Sequence, residues 1–134
     1  MNNKNIFQEK IVLQTIAMPN NINVNGHIFG GWILSQMDIG GAILAKEITQ
    51  SKVVTVHIEK VSFLKFIYSG DIIKCYAKCL KTGNSSLKIS IKIWSKKIND
   101  NKNKKYLAAK GVFIYVAIDD LGNPNPVFLK KNKI

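Results

Sequence analysis

His27-Ile28-Phe29-Gly30-Gly31-Trp32-Ile33-Leu34-Ser35-Gln36-Met37-Asp38-Ile39-Gly40-Gly41-Ala42-Ile43-Leu44-Ala45-Lys46 is the stretch whose reading decides the fold. A Gly-Gly pair opens it and an apolar run follows, which predicts a long helix from about Gly30 to Gln50. At about 100° per residue, Leu34, Met37, Gly41, Leu44, Ala45 and Ile48 share one arc, while Ile39 and Ile43 lie opposite. A helix apolar nearly all round is buried, within a domain or between subunits. Asp38 falls inside the arc, beside Leu34 and Ala45. A carboxylate in that setting is costly unless it is paired, protonated or used in chemistry.

Working outward, the segment before the helix, Asn20-Asn21-Ile22-Asn23-Val24-Asn25-Gly26, is a loop rich in turn formers. Asn tolerates left-handed backbone and Gly26 adopts it freely. Lys10 to Met18 reads as a first strand ended by Pro19. After the helix the apolar period changes from 3.6 to 2. Lys52 to Phe66 is β-branched, and Ser69-Gly70-Asp71 marks a turn. Ile72 to Leu80 alternates, with Ile73, Cys75, Ala77 and Cys79 on one face. Lys81 to Ser85 is a hairpin turn. Ser86 to Lys97 places Leu87, Ile89, Ile91 and Ile93 inward. Asn99 to Lys105 reads as a solvated loop, and Tyr106 to Ile118 as the last strand. A strand, one apolar helix and four consecutive antiparallel strands make an α+β protein whose sheet wraps round the helix, the hotdog arrangement. Such sheets pair edge to edge across a two-fold axis, which would also cover the helix side that one sheet leaves bare.

With 134 residues the chain has room for one domain, expected over 8–122 with flexible tails at 1–7 and 123–134. No apolar run is long enough to span a bilayer, and the polar start Met1-Asn2-Asn3-Lys4-Asn5 lacks a signal-peptide core; a cytoplasmic location is expected. The net charge of +12 comes with lysine as the sole strongly basic residue type. Arginine, the usual reader of guanine and fork for phosphate, is missing, which weighs against nucleic-acid binding. Attraction of a phosphate-bearing small molecule fits the charge as well. Cys75 and Cys79 on one strand are about 13 Å apart, too far for a disulfide. No Cys or His spacing suits a metal.

Asn23-Val24-Asn25-Gly26-His27-Ile28-Phe29-Gly30-Gly31-Trp32, followed by Ser35-Gln36-Met37-Asp38-Ile39-Gly40-Gly41-Ala42-Ile43-Leu44-Ala45-Lys46-Glu47, resembles the hotdog acyl-CoA thioesterases, specifically the bacterial YciA type. Val53-Val54-Thr55-Val56, Phe63-Leu64, Gly70-Asp71, Gly83-Asn84-Ser85-Ser86, Trp94-Ser95-Lys96-Lys97 and Tyr115-Val116-Ala117-Ile118-Asp119 extend the resemblance over residues 8 to 122. It implies hydrolysis of acyl-CoA to acid and CoA by a homodimer or trimer of dimers, with the site at the dimer interface. Carried over by position, Asp38 of one subunit works with Asn23 of its partner. The turn Gly83, Asn84, Ser85 and Ser86 is implied to contact CoA, which belongs to the substrate, so no resident cofactor is expected. Two features depart from the pattern: Phe66 stands where relatives often have proline, and lysine stands where they often have arginine.

Thioester hydrolysis needs a polarised carbonyl, an activated water and a leaving thiolate. Free amides near Gly30 and Gly31, with the helix dipole behind them, suit the carbonyl oxygen. The competing reading is a tight turn into the helix. Asp38 suits a general base or a nucleophile; the alternative is a buried acid paired with lysine. Asn23 orients water or carbonyl, or forms only an Asx turn. Lys97 meets nucleotide phosphates, or sits on a solvated face. His27 and His57 read as a loop residue and a structural residue, and no Gly-x-Ser-x-Gly elbow exists. A hotdog dehydratase or hydratase, which typically relies on a histidine, is the alternative enzyme. A CoA-binding module without catalysis is the alternative outside enzymes.

Overall fold

The computed structural model describes residues 6–97 and 104–128. Strand β1 (Lys10–Ile16) is followed by a 3-10 turn at Pro19–Asn21 and then by helix α1 (Gly30–Thr49). Strands β2 (Lys52–Phe63), β3 (Ile72–Thr82), β4 (Ser86–Lys96) and β5 (Lys105–Ile118) complete one sheet in the order β1-β3-β4-β5-β2. All its pairings are antiparallel.

The alternating stretches behave as expected. Ile73, Cys75, Ala77 and Cys79 of β3 and Leu87, Ile89, Ile91 and Ile93 of β4 are all buried. They meet Met37, Leu44, Ala45 and Ile48 of α1 in one core. Ile39, on the far side of the helix, stays 48% exposed. α1 ends where expected, with Gln50 in left-handed backbone and its amide bonded to the Lys46 carbonyl.

Contact between helix and sheet is closest at Gly40 and Gly41. A methyl group on Gly40 would sit 2.5 Å from the Cys75 sulfur, and one on Gly41 would overlap the Tyr115 hydroxyl. Bare backbone at these two positions lets the helix settle onto β3, β4 and β5.

The four strands after the helix are antiparallel as expected, and β2 lies at the edge opposite β1, paired with β5. Two expectations need correction. The strand read as reaching Phe66 stops at Phe63, and the solvated loop expected at 99–105 lies outside the described residues up to 103, with Lys105 already in β5. The described parts of both tails are held. Ile6 belongs to the core, and Val127 is only 1% exposed. Beyond Gly122 the chain folds back: Asn125 donates its amide to the Ala117 carbonyl at 2.8 Å and Val127 to that of Asn84 at 2.8 Å. Burial of one valine and two paired amides secures a segment that two prolines had marked as loose.

No helix among the described residues is long and apolar enough to cross a membrane.

Candidate active site

Asp38 sits in the middle of α1, half-buried against the sheet. Its Oδ1 accepts a 2.6 Å hydrogen bond from the Thr55 hydroxyl and a 3.0 Å bond from the Tyr115 hydroxyl. The Tyr115 hydroxyl also lies 2.9 Å from the Asp38 main-chain carbonyl. Sheet register explains the convergence. Thr55 of β2 and Tyr115 of β5 are direct cross-strand partners, so their side chains share a face, and that face is turned to the helix. A register shift between Thr55 and His57 follows at once, of the kind that re-aims side chains beside functional sites. Among the described residues, Oδ2 has no hydrogen-bond partner and no cation forms an ion pair with this carboxylate. The alternative reading of Asp38, a buried acid paired with lysine, is therefore not what the described residues show.

Tyr115 is fully buried, and burial together with the neighbouring Asp38 carboxylate pushes its phenol far above the usual range. It remains a protonated donor. Cys75 nearby is pushed up to about 12 by burial and stays a neutral thiol; Cys79 is raised for the same reason. Both thiols are free, as their strand spacing requires.

Gly30 and Gly31 form the first turn of α1. Trp32 and Ile33 already donate to the Phe29 carbonyl at 3.1 and 3.4 Å, so the two glycine amides are those without an acceptor in the helix. A Cβ on Gly30 would touch the Phe63 ring at 3.5 Å and one on Gly31 the Phe29 ring at 3.0 Å, so both lie against aromatic rings. Along the helix axis Gly30 and Asp38 are about 12 Å apart. Within one subunit they cannot act on the same carbonyl group.

Asn23 forms the Asx turn. Its Oδ1 accepts from the amides of Asn25 at 2.8 Å and His27 at 3.3 Å, while Nδ2 lies 3.3 Å from His27 Nδ1. Gly26, at φ +89°, closes the turn in left-handed backbone that side chains rarely adopt. No hydrogen bond joins Asn23 to Asp38 in the described subunit. His27 stacks on Phe66 with ring centroids 4.0 Å apart, and His57 faces Glu59 at 3.5 Å. Neither histidine is hydrogen-bonded to Asp38 within the described subunit.

The proposed CoA contacts separate. Gly83, Asn84, Ser85 and Ser86 join β3 to β4, where Gly83 donates its amide to the Ser86 carbonyl at 2.8 Å. Lys97 follows the opposite end of β4, roughly 35 Å away along the strand. There its ammonium lies 3.4 Å from Asp71 Oδ2 and 4.1 Å from the centre of the Tyr68 ring. One subunit does not bring Lys97 and the Gly83–Ser86 turn to the same ligand, and Lys97 serves the Asp71 cluster instead. Among the described residues no group of three or more His, Cys, Asp or Glu side chains is placed to hold a metal ion.

Thr55 and Tyr115 were not singled out as site residues from sequence. Both lie in strand segments that carry the resemblance, and no local signal marks the direction of their hydroxyls. Gly41, whose bare backbone admits the Tyr115 hydroxyl, was placed on the apolar arc but not read as a close-approach position.

Comparison with known proteins bears on this geometry. A family model for the thioesterase superfamily matches residues 25–101. The chain is 57% identical over 115 residues to an uncharacterized acyl-CoA thioester hydrolase of Buchnera aphidicola, covering 85% of each chain. It is 50% identical over 124 residues to the acyl-CoA thioester hydrolase YciA of Salmonella typhimurium, covering 92% of this chain and 93% of that one. Among solved structures, a hexameric broad-specificity acyl-coenzyme A thioesterase, crystallised as an aspartate-to-alanine variant, superposes with a TM-score of 0.87 at 46% identity. That match covers 92% of this chain and 90% of the other.

Proposed function

The chain belongs to the thioesterase superfamily of hotdog proteins, and from that premise we propose that it hydrolyses acyl-CoA thioesters to a carboxylic acid and CoA at a site built by two subunits. The observation that carries the reading is the Asp38 carboxylate, held by the two neutral hydroxyls of Thr55 and Tyr115 with one oxygen left open. Oδ2 takes a proton from water, the water oxygen bonds to the thioester carbon, and the carbon–sulfur bond breaks. The thiolate leaves readily, so no histidine acid is required, and the proton held by Asp38 passes on to the thiolate or to solvent.

The separation of about 12 Å between Asp38 and the helix start argues for two subunits. In this proposal the partner contributes Asn23 and the amides of Gly30 and Gly31 to the carbonyl that Asp38 serves. Support comes from the free edge of the sheet. Among the described residues β2 has no strand on its outer side, and Val56 is 53% exposed on it. An open edge with apolar side chains is a surface made for pairing. Pairing of β2 with its copy gives a dimer, and a trimer of such dimers matches the hexamer of the solved relative. At the other end of the ligand, the side chain of Asn84 and the hydroxyls of Ser85 and Ser86 are the groups left to meet CoA, while the Gly83 amide stays inside its turn. CoA enters with the acyl group and leaves as product, with no resident cofactor, in a cytoplasmic enzyme.

Release of thiol from acyl-CoA of short, medium and long chains, followed with a thiol dye, is the direct test. Turnover by the wild type and its loss in Asp38→Asn, with the oligomer and CoA binding retained, is the expected result. No thiol from any chain length would end the hydrolase reading.

A further inference from the structure

We infer that Tyr115 is a positioning residue for hydrolysis: with Thr55 it pins Oδ1 of Asp38, so that Oδ2 is the oxygen presented to water. The inference rests on the hydrolase reading above and deepens it by assigning a task to each oxygen.

A carboxylate at the end of a short side chain rotates about its last bond, and either oxygen can then face the reacting atoms. Here rotation is opposed from two strands at once. Thr55 comes from β2 and Tyr115 from β5, and both reach Oδ1. The phenol also touches the main-chain carbonyl of Asp38, so it spans side chain and backbone of the same residue. Its ring is fully buried, stacked on Phe113 with centroids 6.4 Å apart, and cannot swing away. Gly41, one helical turn beyond Asp38 on the same arc, provides the space in which the hydroxyl sits. A structural tyrosine in this core would need some acceptor for its hydroxyl. What exceeds that need is where the hydroxyl sits: besides the Asp38 carbonyl at 2.9 Å, which alone would satisfy it, it meets at 3.0 Å the carboxylate oxygen already held by threonine, with the other oxygen left free.

Loss of the phenol hydroxyl removes one of the two donors that hold Oδ1, so the carboxylate turns more freely and presents Oδ2 to water less often. Substrate binding, which does not depend on that orientation, is unaffected.

The test is Tyr115→Phe in the full chain, which keeps the buried ring and deletes only the hydroxyl. Expected are a kcat about 10-fold lower and a KM within about twofold of wild type, the split that separates positioning from a merely structural role. Unchanged kcat in a folded variant would overturn the inference while wild-type hydrolysis leaves the parent reading standing. Absence of wild-type hydrolysis would instead remove both. Should the variant fail to fold by circular dichroism, 3-fluorotyrosine incorporated at all four tyrosines of the otherwise wild-type protein decides the matter. The altered phenol O–H changes the hold on Oδ1, so kcat departs from wild type by about twofold or more with KM held; an unchanged kcat counts against the inference.

Discussion

Two aspartates in this protein are held in different ways. Asp71, 4% exposed, opens β3's end of the sheet and receives three donors on Oδ2: the Tyr68 amide at 2.9 Å, the Ser95 hydroxyl at 3.0 Å and the Lys97 ammonium at 3.4 Å. Among the described residues Asp38 is held by hydroxyls alone, half-buried between α1 and the sheet. The carboxylate beside a cation ties elements together, here the β2–β3 turn and the end of β4. The one held by hydroxyls keeps an oxygen without a partner among the described residues. Burial alone does not mark a functional acid; the identity of its donors does.

The sharpest way to break this comparison is to neutralise each acid in turn. Asp38→Asn is expected to lower kcat by about 10^3-fold with little change in thermal stability. Asp71→Asn is expected to leave kcat within about threefold and to cost about 1–3 kcal/mol in denaturant unfolding, since it weakens a charge-assisted cluster. An Asp71 variant that loses turnover while keeping its stability would erase the distinction. Next in size comes Gly41→Ala, whose methyl displaces the Tyr115 hydroxyl or the helix; a loss of about 1–3 kcal/mol should accompany reduced kcat. Lys97→Ala removes the cation from Asp71, and because that lysine is 41% exposed the expected loss is below about 1 kcal/mol, with the KM for acyl-CoA unchanged. A large rise in KM would return Lys97 to the ligand. The smallest effect concerns Cys75, buried with no charged partner. Its folded value of about 12 exceeds the ordinary 9.0, so its stabilising contribution is complete below pH 9.0 and is lost as pH rises toward 12. Melting temperature should fall over that window less steeply in Cys75→Ala than in wild type.

Much of this was legible in the chain. The arc of Leu34, Met37, Gly41 and Leu44 announced the helix, and strict alternation announced β3 and β4, because both signals are local and periodic. Asp38 stood out because a lone acid in an apolar arc is expensive. The Asx turn at Asn23 was one of two readings that its loop chemistry left open. Pairing order was not legible: period 2 says that β2 is a strand and is silent on its neighbour. For the same reason Thr55 and Tyr115 went unnoticed as partners of Asp38, since only register brings them opposite each other. Lys97, read as a phosphate contact or a solvated lysine, meets the buried Asp71 within its own subunit, a partner that no local pattern announces. The segment past Gly122 was misread because its prolines outweighed a single valine.

That last segment gives the chain an internal clasp. The Val127 amide grips the Asn84 carbonyl, so the segment up to Val127 is tied to the very turn proposed to meet CoA. A protease cut past Gly122, or a fused domain that tugs on the end, would therefore be felt in the β3–β4 connection, which loses its strap before the rest of the sheet is disturbed.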